Sequence, residues 1–91
     1  MKMKIEIHEH TLSRALERGT DKPEIVDVLE SGIDCKANDY RYCKYKLFPF
    51  GKIRNDRYYE QKRVEVIYIL EKDRLITVTV YVFYGKWESD L

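Results

Sequence analysis

The sequence predicts an α+β fold in which one strand and two helices precede a three-stranded antiparallel sheet that ends in a β-hairpin. Apolar residues recur at helical spacing through residues 11–31 and alternate with period two after residue 40. Helices grouped before the run of strands pack on one side of a small sheet. The length of 91 residues predicts a single domain, residues 1–91.

The first strand and the first helix follow from two different periodicities. Apolar and polar residues alternate at the start of the chain, which predicts a short strand with one buried face. Residues 11–18 form the first helix, and Gly19 can adopt the left-handed conformation that ends it. The apolar residues of the strand are Met3, Ile5 and Ile7, and those of the helix are Leu12, Ala15 and Leu16.

The second helix has a clear beginning and end. Asp21 is a capping residue, Pro23 lies in the first turn, and Glu24 completes a capping-box pattern. The helix should continue to about Ser31 and end at Gly32. Its inward side chains are Ile25, Val28 and Leu29.

Three strands should follow. Residues 40–48 form the first, residues 52–61 form a loop or an edge, and residues 63–70 and 75–84 form the hairpin. Alternation in the last strand divides its side chains between two faces. We expect Ile76, Val78, Val80 and Val82 on the core face, and Thr77, Thr79, Tyr81 and Phe83 on a more polar face.

Residues 40–63 combine eight Lys or Arg side chains with seven aromatic rings and two acids. Cations attract phosphate and rings stack on unpaired bases, so this mixture favours single-stranded RNA as a ligand. A solvated face of antiparallel strands is the alternative. The RNA-binding candidates are Tyr42, Lys44, Tyr45, Lys46, Lys52, Arg54, Arg57 and Lys62.

One stripe of the first helix carries ionisable residues at spacings of four, three and one. These are His10, Arg14, Glu17 and Arg18. Two arginines four apart repel each other unless Glu17 or an external anion relieves the repulsion. A guanidinium group can bind two phosphate oxygens at once, which predicts phosphate binding. An Arg14–Glu17 pair on a solvated helix is the alternative.

The residues 10–19, His-Thr-Leu-Ser-Arg-Ala-Leu-Glu-Arg-Gly, resemble the helix of the bacterial and phage domain-of-unknown-function family 4258. The resemblance continues through an acidic second helix, residues 62–68 and the valine–threonine–tyrosine strand at residues 76–81. The family is similar in layout to ribonuclease toxins of the RelE and BrnT type. The resemblance therefore implies metal-independent RNA cleavage, an antitoxin protein as partner, and no cofactor.

Carried onto this chain, the resemblance implies a catalytic set of His10, Arg14, Glu17, Arg18 and Tyr81. Such a reaction needs a base for the 2′-hydroxyl proton, a cation for the phosphorane and an acid for the leaving oxygen. His10 or Glu17 would supply the base, the two arginines the charge, and Tyr81 or Lys62 the acid. Tyr42, Tyr45 or Trp87 would stack on bases.

Other classes remain open at this point. The same surface suits a non-catalytic module that binds nucleic acid or protein, or a sheet edge that pairs near residues 48–50. Glu60-Gln61-Lys62 matches a Glu-x-Lys nuclease signature that would need Mg²⁺, with Asp39 or Asp56 upstream.

The cysteines and the hydropathy of the chain indicate in which cellular compartment the protein is expected. Cys35 and Cys43 form no Cys-x-x-Cys element, so we expect reduced thiols, and a zinc site joining them to His8 and His10 matches no common spacing. The chain shows no apolar run of membrane-spanning length and no secretion signal. We therefore expect a cytoplasmic protein.

Overall fold

The computed structural model describes residues 3–87 and shows an α+β fold with two helices and a five-stranded mixed sheet. No helix in this range is long and apolar enough to cross a bilayer. The elements in chain order are β1 (Lys4–Glu6), α1 (Glu9–Arg18), α2 (Lys22–Ser31), β2 (Ile33–Cys35), β3 (Tyr42–Arg54), β4 (Arg57–Glu71) and β5 (Arg74–Gly85).

The strand order β1-β5-β4-β3-β2 corrects the predicted three-stranded sheet. β4 and β5 form the expected antiparallel hairpin, but β1 pairs in parallel with the far side of β5, with Ile5 opposite Leu75. The missed strand β2 pairs with β3, with Ile33 opposite Tyr45. β2 has three residues, which is too short for alternation to be recognised. Its position depends on pairing with β3, which the local sequence does not show.

The segment 52–61 is part of a long β-hairpin and not a loop. β3 and β4 pair as far as Arg54 and Arg57, and Asn55 and Asp56 form the turn with φ of 51° and 66°. Two positive φ values are typical of a type I′ hairpin turn. β2 pairs with β3 only at residues 43–45. At Pro49 the edge of β3 opposite β4 therefore carries no strand among the described residues, and a proline without an N–H is tolerated there.

The core lies between the helices and one face of the sheet. α1 packs on β5, and α2 packs on β4 and β3. Ala15 is buried as predicted, but Leu16 is an exception to the predicted stripe, since it is 80% exposed, and α1 buries Thr11 in addition. The largest fully buried side chains are Ile25, Val28, Val64, Val66, Val80 and Thr11.

The predicted faces of β5 are correct near its end and wrong near its start. Val80 is fully buried, but Thr77 is also buried, with 2% exposure. A register shift between Ile67 and Tyr68 of β4 exchanges the two faces of β5 along the strand. The Thr77 hydroxyl is satisfied there, because it accepts from the His8 backbone N–H and donates to the Thr11 hydroxyl.

The C-terminal end of α1 is held by side chains from three strands. Gly19 adopts φ of 95° and ends the helix, as predicted. The Tyr84 hydroxyl donates a hydrogen bond there, and burial raises its pKa, which favours the protonated donor form. The last carbonyls of the helix accept from strand side chains: Glu17 from Arg54, Arg18 from Tyr84, and Gly19 from Lys62.

Gly19→Ala should lower the free energy of unfolding by about 2–4 kcal/mol. An alanine there would take a left-handed conformation, and its Cβ would overlap the Tyr84 hydroxyl that donates to Arg18. Gly51→Ala is the matched control, because it shares the positive φ but places its Cβ 3.6 Å from Tyr58. We expect that change to cost about 1–2 kcal/mol in urea denaturation. Equal losses would contradict the steric argument.

Candidate nucleic-acid interface

The sheet has one face that carries no helix among the described residues, and we call it the open face. Val64 and Val66 of β4 point into the core, so Arg63 and Glu65, which alternate with them, point to the open face. Cross-strand pairing extends this face to β3 and β5. Its central residues form two rows across the strands: Tyr45, Glu65 and Tyr81, then Leu47, Arg63 and Phe83.

Aromatic rings and one ion pair occupy the centre of the open face. The rings of Tyr81 and Phe83 stack with centroids 6.5 Å apart and are 42% and 47% exposed. The Arg63 guanidinium lies 3.7 Å from the centroid of the Tyr45 ring. Its Nε donates to Glu65 Oε2 over 2.7 Å. The face therefore presents a carboxylate and a guanidinium between three rings, a combination that can stack on bases and contact phosphate.

Arg18 brings a second guanidinium to the border of the open face. It extends from the last turn of α1, and its Nη1 donates to the Val80 carbonyl over 2.6 Å. Its Cζ lies 5.1 Å from the centroid of the Tyr81 ring. The structure thus brings together two residues of the predicted catalytic set, Arg18 and Tyr81.

The other three predicted catalytic residues remain on the solvent side of α1. The Arg14 guanidinium pairs with the Glu17 carboxylate over 3.2 Å, and both side chains are exposed. His10 is exposed near the first turn, where its backbone N–H donates to His8 Nδ1. In the described part of the chain these three side chains form no hydrogen bond or ion pair with the sheet. The arrangement matches the alternative of a solvated Arg14–Glu17 pair.

Three predicted RNA-binding lysines have carboxylate partners on the helix side of the sheet. Lys44 pairs with Asp34 over 3.2 Å. Lys46 and Lys62 pair over 2.7 Å, the first with Asp27 and the second with Glu24. The hydrogen bonds from Lys46 and Ser31 lower the pKa of Asp27, which keeps that carboxylate charged. These three cations are neutralised within the molecule and do not face the open side.

The remaining RNA-binding candidates are divided between three places. Tyr45 lies on the open face, whereas Tyr42 stacks on Tyr68 on the helix side, with centroids 5.6 Å apart. Arg54 contacts the end of α1 and the Tyr84 ring. Lys52 and Arg57 are exposed on the β3–β4 hairpin, and in residues 3–87 neither has a carboxylate partner.

Three residues of the open face, Arg63, Glu65 and Phe83, were not among the predicted site residues, although Phe83 was correctly placed on the face of the last strand that carries Tyr81. A usable signal was present, because Arg63 and Glu65 alternate with Val64 and Val66 in a strand that was predicted. Arg63 and Glu65 flank Val64 in an alternating strand, so they must lie on the opposite face from the core valines.

Cys35 and Cys43 form a disulfide between β2 and β3, which corrects the prediction of reduced thiols. The imagined zinc site with His8 and His10 is not assembled. Within residues 3–87, the group of potential metal ligands that does converge is Cys35, Cys43 and Glu65. Glu60, the acid of the Glu-x-Lys pattern, pairs instead with Lys86 over 3.4 Å.

The site belongs to an α+β protein with an open-faced sheet. The chain matches no protein-family model, no curated protein and no solved structure. Its function is therefore inferred from the geometry of the open face.

Proposed function

We propose that this protein binds single-stranded RNA on the open face of its sheet and cleaves it without a metal ion, as the toxin of a toxin–antitoxin pair. The observation that supports this proposal is the cluster of three aromatic rings around the Arg63–Glu65 pair, with Arg18 at its border. The three rings are Tyr45, Tyr81 and Phe83.

Stacking of bases on the aromatic rings would provide most of the binding free energy. Every base has a π-face, so exposed rings on a sheet accept unpaired bases with little sequence preference. A duplex keeps its bases stacked inside, where Tyr81 and Phe83 cannot reach them. The proposed ligand is therefore a loop or single strand of RNA, with its phosphates towards Arg63 and Arg18.

The same groups could carry out cleavage. Glu65 would accept the 2′-hydroxyl proton, the role predicted for His10 or Glu17. Arg63 and Arg18 would stabilise the phosphorane, and the Tyr81 hydroxyl would protonate the leaving oxygen. This assignment keeps Arg18 and Tyr81 in the roles that the resemblance implies and transfers the base to the open face. The antitoxin would be a small protein that covers this face.

The second candidate is a non-catalytic module that binds a protein. Apolar residues beside the aromatic cluster favour it. Ile33 is 60% exposed and lies opposite Tyr45, and the partly buried Ile67 lies opposite Thr79. An exposed apolar patch beside a neutralised ion pair is typical of a protein interface.

Labelled single-stranded RNA incubated with the protein in EDTA tests the proposal. We expect cleavage by the wild type, and Tyr81→Phe should reduce its rate by about 10²–10⁴-fold while retaining the RNA, because the ring remains and the acid is lost. Tyr42→Phe is the matched control on the helix side and should cleave normally. If the protein retained the RNA but did not cleave it, the protein would be an RNA-binding module and the cleavage part of the proposal would be rejected. No retention at low salt would reject RNA as the ligand and favour the protein-binding candidate.

A further inference from the structure

Three potential metal ligands converge where β2, β3 and β4 meet on the open face. Cys35 and Cys43 are directly opposite each other on β2 and β3, with Cα atoms 5.0 Å apart. Their sulfur atoms and a carboxylate oxygen of Glu65 all lie within 4.8 Å of one another. Cys43 is 3% exposed, and Cys35 and Glu65 are partly buried.

We propose that the reduced form of Cys35 and Cys43 binds one Zn²⁺ together with Glu65. Zinc prefers four tetrahedral ligands, with Zn–S near 2.3 Å and Zn–O near 2.1 Å. Those bond lengths place neighbouring ligand atoms about 3.6–3.8 Å apart. After reduction the two sulfur atoms would separate to that spacing, the carboxylate oxygen already lies within 4.8 Å of them, and a water molecule would complete the tetrahedron. Thiolates also favour zinc over the hard cations magnesium and calcium.

Arg63 supports this site from outside the ligand set. Its Nε donates to Glu65 Oε2, and Oε1, which has no hydrogen-bond partner within residues 3–87, would coordinate the ion. Such a hydrogen bond orients a ligating carboxylate and is typical of protein metal sites. Two thiolates, one carboxylate, one Zn²⁺ and one guanidinium sum to zero charge, so the occupied site leaves no uncompensated charge beside the buried Cys43.

Reduction must precede binding, because a disulfide offers no thiolate. A phosphine with one water molecule supplies the two electrons: the S–S bond breaks, each sulfur gains a proton, and the phosphine becomes its oxide. Zn²⁺ then displaces both thiol protons, which are released to solvent. The disulfide form is therefore expected to exclude the ion, so the oxidation state of the cysteine pair controls occupancy.

This inference does not rest on RNA binding, although it shares Glu65 and Arg63 with the proposed RNA site. Zn²⁺ binding and RNA retention are separate measurements. Either one can fail while the other succeeds.

Titration of the phosphine-reduced protein with Co²⁺ tests the inference. We expect one Co²⁺ per chain, with thiolate-to-cobalt charge-transfer absorption that Zn²⁺ abolishes. The disulfide form should show no such absorption. Glu65→Gln should weaken Zn²⁺ binding by at least about tenfold. Asp34→Asn is the matched control, since Asp34 immediately precedes Cys35 on β2 but pairs with Lys44 on the helix side, and it should bind as the wild type does.

Two outcomes would overturn the inference. One is a reduced wild-type protein that keeps its circular dichroism spectrum and shows no thiolate-to-cobalt absorption. The other is equal Zn²⁺ affinity in Glu65→Gln and the wild type, which would remove the carboxylate from the site. Because cysteine variants also lose the disulfide, Cys35→Ser should be compared with the reduced wild type, and it should lose the absorption.

Discussion

The double variant Tyr81→Ala/Phe83→Ala is expected to bind single-stranded RNA at least about 30-fold more weakly than the wild type. Stacking on an aromatic side chain contributes about 1–3 kcal/mol per base, and two rings are removed. Both rings are partly exposed and support no core residue, so the fold should tolerate the change. Fluorescence anisotropy with a labelled oligonucleotide at fixed salt measures the affinity.

Tyr42→Ala is the matched control for this experiment. Tyr42 is 48% exposed, close to the exposure of Phe83, but it stacks on Tyr68 on the other side of the sheet. Its loss should leave RNA affinity nearly unchanged. The salt dependence of the double variant should match that of the wild type, because no cation is removed. A Tyr42→Ala defect as large as that of the double variant would place the RNA on the helix side.

The sequence predicted the elements whose signals are local. α2 has its cap at Asp21, where the side chain accepts from the Glu24 backbone N–H, and α1 ends at a left-handed Gly19, both as expected. The central strands β4 and β5 were predicted because alternation over many residues is a strong local pattern. The chain's own sequence therefore identified the helices and the middle of the sheet.

The missed parts of the fold depend on pairing between distant segments. β2 has three residues, and its position is set by β3. The hairpin at residues 52–61 has no apolar period, so backbone hydrogen bonds and the Asn55–Asp56 turn define it. The buried position of Thr77 follows from an irregularity in the pairing with β4, which neither strand shows by itself.

The charge pattern along the chain explains why several of the predicted RNA-binding lysines pair with carboxylates inside the molecule. Residues 1–40 hold nine acids and six cations, whereas residues 40–63 are strongly basic. That asymmetry indicated an external polyanion, but folding brings acids of α2 and β2 against lysines of β3 and β4. Some acids of residues 1–40 therefore form ion pairs with lysines of residues 40–63. Tyr45 and Arg63 are the members of that pattern that lie at the centre of the open face.

Lys62→Ala is expected to lower the free energy of unfolding by about 3–5 kcal/mol, because it removes a buried cation and leaves the partly buried Glu24 carboxylate unpaired. The Lys62 side chain is 10% exposed and that of Glu24 is 24% exposed, and their ion pair is 2.7 Å long. Lys62 also donates to the Gly19 carbonyl at the end of α1. Lys46→Ala removes a lysine from a similar pair, but its side chain is 35% exposed and its partner Asp27 is 43% exposed. In urea denaturation, Lys46→Ala should lower the free energy of unfolding by about 1 kcal/mol or less.

A double replacement separates a structural role of Lys62 from a role in RNA binding. Lys62→Met/Glu24→Met removes both charges together and should recover most of the stability lost in Lys62→Met, because no carboxylate is then left unpaired. If Lys62 stabilises the fold and does not contact RNA, the double variant should bind RNA as tightly as the wild type does. Wild-type stability in Lys62→Ala, combined with weaker RNA binding, would instead make Lys62 a phosphate contact and would move the proposed site from the open face to the helix side.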